Sequence, residues 1–147
     1  MKNQPRIIRG TLATLLLAAM IVVPSWTWAQ PKGDKHFHAV VTDTQGVETD
    51  LKNVMFYWEE KVNETSFVPH ELHHVPVQRG TATINVKFET IREIQTKSAG
   101  EKPTITIILT SGKTADFVMA IPGSFKGESD FGEVEIKAGH LKKLVFK

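Results

Sequence analysis

The chain has 147 residues, no cysteine and a formal net charge of +2 at pH 7. The absence of cysteine excludes disulfides, thiolate nucleophiles and cysteine-ligated zinc sites. Residues 1–29 carry three basic and no acidic side chains, so residues 30–147 carry 15 basic against 16 acidic side chains and a net charge of −1. This balance predicts no basic surface for nucleic acid or for an anionic membrane.

Residues 1–29 have the pattern of a cleaved signal peptide. Basic residues precede an apolar run at 11–23, Pro24 ends that run, and small residues at Thr27 and Ala29 fit cleavage after Ala29. The run is shorter than the roughly 20 residues that a membrane-spanning helix needs. We therefore expect a periplasmic or secreted protein with a flexible mature N-terminus at 30–35 and no membrane span after cleavage.

Alternation of β-branched and polar residues with a period of two dominates the chain after residue 35 and predicts β-strands. The predicted strands are 37–42, 54–60, 81–88, 104–109, 114–121, 134–136 and 141–146. Turn sequences at 43–46 and at Ser111 and Gly112 mark hairpins. The pattern predicts one all-β domain over residues 36–147, either a β-sandwich or a partly open barrel of about seven to nine short antiparallel strands.

Two segments of this domain repeat one pattern. Residues 83–96 (TINVKFETIREIQT) align without gaps on residues 133–146 (EVEIKAGHLKKLVF), with apolar positions matching along both. Each segment predicts a strand, a tight corner and a second strand. The domain would then consist of two similar halves, 36–96 and 104–147, whose apolar faces need one another for burial. Common strand periodicity alone also produces short matches of this kind, so that alternative stays open.

The halves differ between their hairpin and their repeated segment. The second half has a short glycine-rich link at 122–131, whereas the first half has the longer segment 61–80. This insertion contains VPHELHHVP, in which His70, Glu71 and His74 have the spacing His-Glu-x-x-His. We expect the insertion to be a loop on a rigid scaffold, which is where binding residues concentrate.

The His-Glu-x-x-His spacing forms a zinc-protease site only on a helix, where both histidines share one face and the glutamate activates a zinc-bound water. Pro76 ends any helix that starts near Pro69 after five or six residues, which is too short to support such a site. No other catalytic arrangement stands out. We therefore expect the protein not to be an enzyme and to require no cofactor.

Metal binding without catalysis makes smaller demands on the same segment. The candidate ligands are His70, His73, His74 and Glu71. Imidazole and carboxylate groups in one compact loop suit zinc, copper or nickel. His36 and His38 form a second pair on one face of a strand. The alternative is a solvated His-rich loop that binds no metal.

The aromatic side chains of strand 54–60 alternate between its faces, with Tyr57 on one and Trp58 on the other. They can stack on sugar rings or anchor a partner, and core packing is the alternative. These features together predict a small exported, non-catalytic binding or structural module of the bacterial cell envelope, with an envelope protein or polymer as its partner. The competing hypotheses are a periplasmic metal-binding protein that uses residues 70–74 and a zinc-dependent hydrolase.

Overall fold

The computed structural model describes residues 35–147, so the predicted signal peptide and its cleavage site lie outside the described residues. The described chain is all-β, as predicted, and none of its helices is long and apolar enough to cross a membrane. Its strands are β1 (Ala39–Asp43), β2 (Glu48–Lys61), β3 (Phe67–Leu72), β4 (His74–Arg79), β5 (Ala82–Lys87), β6 (Ile91–Thr96), β7 (Thr104–Leu109), β8 (Thr114–Met119), β9 (Ser124–Ser129), β10 (Gly132–Lys137) and β11 (Leu141–Phe146). Two 3-10 turns, the first corner (Phe88–Thr90) and the second corner (Ala138–His140), precede β6 and β11.

All eleven strands belong to one antiparallel sheet that is not closed. The strand order is β10-β9-β2-β1-β11-β6-β7-β8-β4-β5, and β3 pairs with β2 beside this path. There are more strands than the predicted seven to nine because segments 61–80 and 122–131, which we expected to be irregular, form β3, β4 and β9. Apolar side chains from nearly every strand meet in a single core. Its largest fully buried members are Phe56, Phe88, Phe125, Leu51, Ile91, Ile94, Ile105, Ile107, Met119, Leu141 and Leu144.

The repeated segment is present in the structure as a strand, a 3-10 corner and a second strand. β5, the first corner and β6 recur as β10, the second corner and β11 with identical lengths and one constant offset, which relates Phe88 to Ala138 and Ile91 to Leu141. The hydrogen bond that Phe88 donates from its backbone N–H to the carbonyl of His73 recurs from Ala138 to Gly123, and both measure 3.0 Å. The repetition therefore extends to backbone geometry.

The two hairpins β1–β2 and β7–β8 also correspond. Ala39 pairs with Leu51 in the first hairpin as Ile105 pairs with Phe117 in the second. Each hairpin pairs with strands of the other half of the sequence. In the first hairpin β1 pairs with β11 and β2 with β9, and in the second β7 pairs with β6 and β8 with β4. The sequence halves thus exchange hairpins. A pseudo-twofold axis passes between Ile94 and Leu144, which lie opposite one another where β6 meets β11 and are both fully buried.

One segment breaks this symmetry. The connection from Leu51 in β2 to Val75 in β4 corresponds to the much shorter connection from Phe117 in β8 to Phe125 in β9. The extra residues extend β2 to Lys61 and add β3, and we call residues 55–73 the arm. Asn53, with a φ of 53°, lies in a bulge just before the arm, where β2 gains a residue relative to β9. A bulge of this kind bends its strand, here at the base of the arm.

Candidate functional site

The segment VPHELHHVP is not a loop. It belongs to β3 and β4, with a one-residue bend at His73 between them. The prediction of a loop was wrong because it treated both prolines as breaks in regular structure. Within residues 35–147 β3 pairs only with β2, so Pro69 can face an edge that none of these residues pairs with. Pro76 precedes the residues of β4 that pair with β8. Proline is compatible with strands at such positions.

His70 and Glu71 project from opposite faces of β3, because successive residues of a strand alternate. His70 lies opposite Trp58 and stacks on its indole, with ring centroids 4.4 Å apart and planes 11° apart. The Nε2 atom of His70 is 2.9 Å from Oε2 of Glu60. Glu71 lies opposite Tyr57 on the other face. His70 and His74 lie on different strands, so the segment lacks the helix on which a zinc-protease site presents both histidines.

The other candidate histidines, His36, His38, His73 and His74, do not form one cluster with His70. The ring of His73 packs 5.3 Å from that of Phe37, whereas His36 and His38 are exposed. His74 is half-buried, and its burial, together with the neighbouring His73, lowers the pKa of its imidazole. Among residues 35–147, no three histidine, aspartate or glutamate side chains are grouped closely enough to hold a metal ion. The structure thus does not bring the four predicted metal ligands together.

The inner face of the arm continues the core outwards. Phe56 and Leu72 lie opposite one another at its base, and the stack of Trp58 and His70 comes next. The contact between His70 and Glu60 links the two strands beyond the stack. These side-chain contacts join β2 to β3, so they stabilise the arm.

The arm as a whole is acidic, and its tip is apolar. Along the outer face, the cross-strand pairs from base to tip are Tyr57 with Glu71, Glu59 with Pro69, and Lys61 with Phe67. The arm carries four glutamates and a single lysine, whereas the rest of the described chain has slightly more basic than acidic residues. The exposed apolar residues at the tip are Val62 (60% exposed), Phe67 (55%) and Val68 (43%).

A cleft of about 590 Å³ opens beside the base of the arm. Four segments of the chain that are distant in sequence form its walls. They are arm residues 57–59, linker residues 99–101, residues 122–124 with Lys126, and Glu135 with residues 137–140.

Tyr57 connects the outer face of the arm to this cleft. Its hydroxyl donates a hydrogen bond of 2.5 Å to Oε1 of Glu59, and Nζ of Lys126 lies 3.6 Å from the centroid of its ring. Lys126 also forms an ion pair of 3.6 Å with Glu135. The hydrogen bond to Glu59, then desolvation, then the charges of Glu59, Glu135 and Glu71 raise the pKa of Tyr57 to about 12.

Two glycines allow the close approaches that shape the cleft. A Cβ atom at Gly139 would lie 2.3 Å from the carbonyl oxygen of Gly100, because residues 99–101 pack tightly on the second corner. A Cβ atom at Gly123 would lie 2.3 Å from Cζ of Phe56. Neither glycine has a positive φ, so space rather than backbone conformation requires glycine at both positions.

A family model described as "Uncharacterised protein" matches residues 33–147. The chain belongs to this family. No curated protein matches it. The matched residues of this family member include every strand of the sheet, and the arm and the cleft lie within them.

Sequence reasoning missed most of the charged residues of the cleft. The alternation in strand 54–60 placed Tyr57 and Trp58 on opposite faces, and the same alternation places Glu59 beside Tyr57. Lys126 and Glu135 carried no such signal. They reach the cleft because β9 pairs with β2, which is far away in the chain, and β10 pairs with β9 in a local hairpin.

Proposed function

We propose that the protein is an exported, non-catalytic binding module and that the arm, with the cleft at its base, is its binding surface. The observation that carries this proposal is the arm itself, an insertion in a scaffold that is otherwise pseudo-twofold. The second half of the sequence makes the corresponding connection, from β8 to β9, with a short link, so the sheet can be completed without an arm. The predicted signal peptide at 1–29 supports export.

The composition of the arm supports a role in binding. Three apolar side chains are exposed at its tip beside carboxylates, and apolar patches with polar rims commonly mark interaction sites. The stack of His70 on Trp58 and the contact with Glu60 hold the ribbon in shape before any partner arrives. A preformed surface loses less conformational entropy on binding than a flexible one.

The geometry favours this function over the two rivals that use the same segment. A zinc-dependent hydrolase needs His70 and His74 side by side on one helix, and they lie on different strands, β3 and β4. A metal site built on residues 70–74 needs the imidazole of His70, which is engaged with Trp58 and Glu60. Binding through the arm requires no rearrangement of these side chains.

An arm-shortened variant tests the proposal. Trp58 and His70 lie directly opposite one another, so replacing residues 59–69 with Asn-Gly closes the ribbon by a two-residue turn and keeps Phe56 and Leu72 in place. Cells that produce the full chain or this variant are treated with formaldehyde, and their exported fractions are compared by immunoblot. We expect a discrete crosslinked adduct with the full chain and none with the variant.

The variant Phe131→Ser is the matched control, because Phe131 is fully exposed at the tip of the β9–β10 hairpin, outside the arm. Its adduct should equal that of the wild type. An adduct that survives shortening of the arm, or no adduct in any sample, would contradict the binding role. Retention of the chain in the cytoplasm would contradict export, and peptide or ester hydrolysis that Glu71→Gln abolishes would contradict a non-catalytic role.

A further inference from the structure

We propose that the outer face of the arm and the adjoining cleft bind an extended polypeptide segment that contains lysine or arginine and belongs to another protein of the cell envelope. This inference rests on the proposed function and adds the chemistry of the partner.

The charges of the site favour a cationic partner. Glu59 and Glu71 lie on the outer face of the arm with Lys61, and Glu101 and Glu135 line the cleft with Lys126 and Lys137, so four carboxylates face three ammonium groups. Lys126 neutralises part of the charge of Glu135, but within residues 35–147 neither Glu71 nor Glu101 forms an ion pair. Basic side chains of a partner would complement these free carboxylates.

The raised pKa of Tyr57 agrees with this interpretation. The carboxylates of Glu59, Glu135 and Glu71 all raise the pKa of the phenol, so their negative potential converges on the point where the arm meets the cleft. The same potential would repel the anionic headgroups of a membrane surface.

The geometry of the arm favours a polypeptide. Phe67, Pro69 and Glu71 follow one another along the outer face with the two-residue period of a strand, and an extended ligand presents its side chains at the same period. Among the described residues β3 pairs only with β2, so its other edge offers backbone groups to a further strand. Pro69 lacks an N–H, so side chains must provide the remaining recognition.

Defined peptides test the chemistry of the partner. The probe is a fluorescently labelled peptide of alternating lysine and valine, and its anisotropy is measured during titration with the full chain. Glu59→Gln combined with Glu71→Gln should weaken binding about tenfold or more, because both carboxylates face the ligand. Glu48→Gln combined with Asp130→Asn changes the net charge equally at exposed sites outside the arm and the cleft, and it should leave the affinity unchanged.

The apolar part of the site has its own control. Phe67→Ser should weaken binding of the lysine–valine peptide severalfold and leave a lysine–serine peptide unaffected, because only the first peptide can cover the exposed ring. Circular dichroism and urea unfolding establish that each variant is folded.

Three results would overturn the inference. They are equal losses in the two double variants, equal binding of a peptide with glutamate in place of lysine, and no binding tighter than about 1 mM. If the arm-dependent adduct in cells persists when the peptide fails, the binding function stands and only the partner chemistry is wrong. If the crosslinked partner is a glycan, a lipid or a second copy of this chain, the binding function also stands and only the proposed partner chemistry is wrong.

Discussion

The alkaline titration of Tyr57 provides a direct measurement of the geometry at the base of the arm. Tyr57 is the only tyrosine of the chain, so tyrosinate absorbance follows a single group. At pH 11, a phenol with the ordinary pKa of 10.0 is about nine-tenths ionised, whereas Tyr57 with a pKa of about 12 is about one-tenth ionised. The difference follows first from the hydrogen bond to Glu59 and then from desolvation and the surrounding carboxylates.

The variant Glu59→Gln tests this cause. It removes the carboxylate that accepts the hydrogen bond and one negative charge, so the pKa of Tyr57 should fall towards 10.0. Glu48→Gln removes a carboxylate that makes no contact with Tyr57 and should not change the titration. The absorbance is recorded as a function of pH, with circular dichroism on the same samples to verify that the sheet is intact.

The raised pKa also determines how stability depends on pH. Between pH 10 and about 12 the folded protein binds more protons at Tyr57 than the unfolded chain, so the free energy of unfolding falls as the pH rises through this window. Ionisation of Tyr57 near pH 10 in folded protein would refute this explanation. So would an equal fall of the pKa in Glu59→Gln and Glu48→Gln.

Three further predictions concern the scaffold. Leu144→Ala should lower the free energy of unfolding by about 3 kcal/mol in urea titrations, and a loss below about 1 kcal/mol would contradict tight packing at the axis. Adding Ile94→Ala should give a non-additive loss, because the two side chains face one another. Asn53→Val should lower the free energy of unfolding by about 1–2 kcal/mol, because a β-branched residue disfavours positive φ, whereas Asn53→Gly should lower it little. Equal effects of the two substitutions would contradict the positive φ in the bulge. The pKa of His74 is lowered in the folded state, so the free energy of unfolding should fall as the pH drops below the unfolded pKa of 6.5. In urea titrations at neutral and acidic pH, His74→Gln should lose less of this free energy than the wild type.

Much of the fold could be predicted because its signals are local. Alternation at positions such as Ile84 and Val86 marks β5, and the same alternation at Val134 and Ile136 marks β10. The matched spacing of the two repeated segments predicted the corners as well. The error over segment 61–80 had a local cause too, since proline ends a helix but fits a strand wherever its missing N–H is not needed.

The sequence by itself determined the all-β class, most of the strands and the repeated strand–corner–strand unit, because each depends on side-chain periodicity within a few residues. Only the tertiary structure decided that the halves exchange hairpins around Ile94 and Leu144, that the insertion is a two-stranded β-ribbon, and that Lys126 and Glu135 meet Tyr57. The first and the last of these features depend on which strands pair across long stretches of chain. That choice is made by the burial of the whole core, because no short segment contains the information that selects its partner.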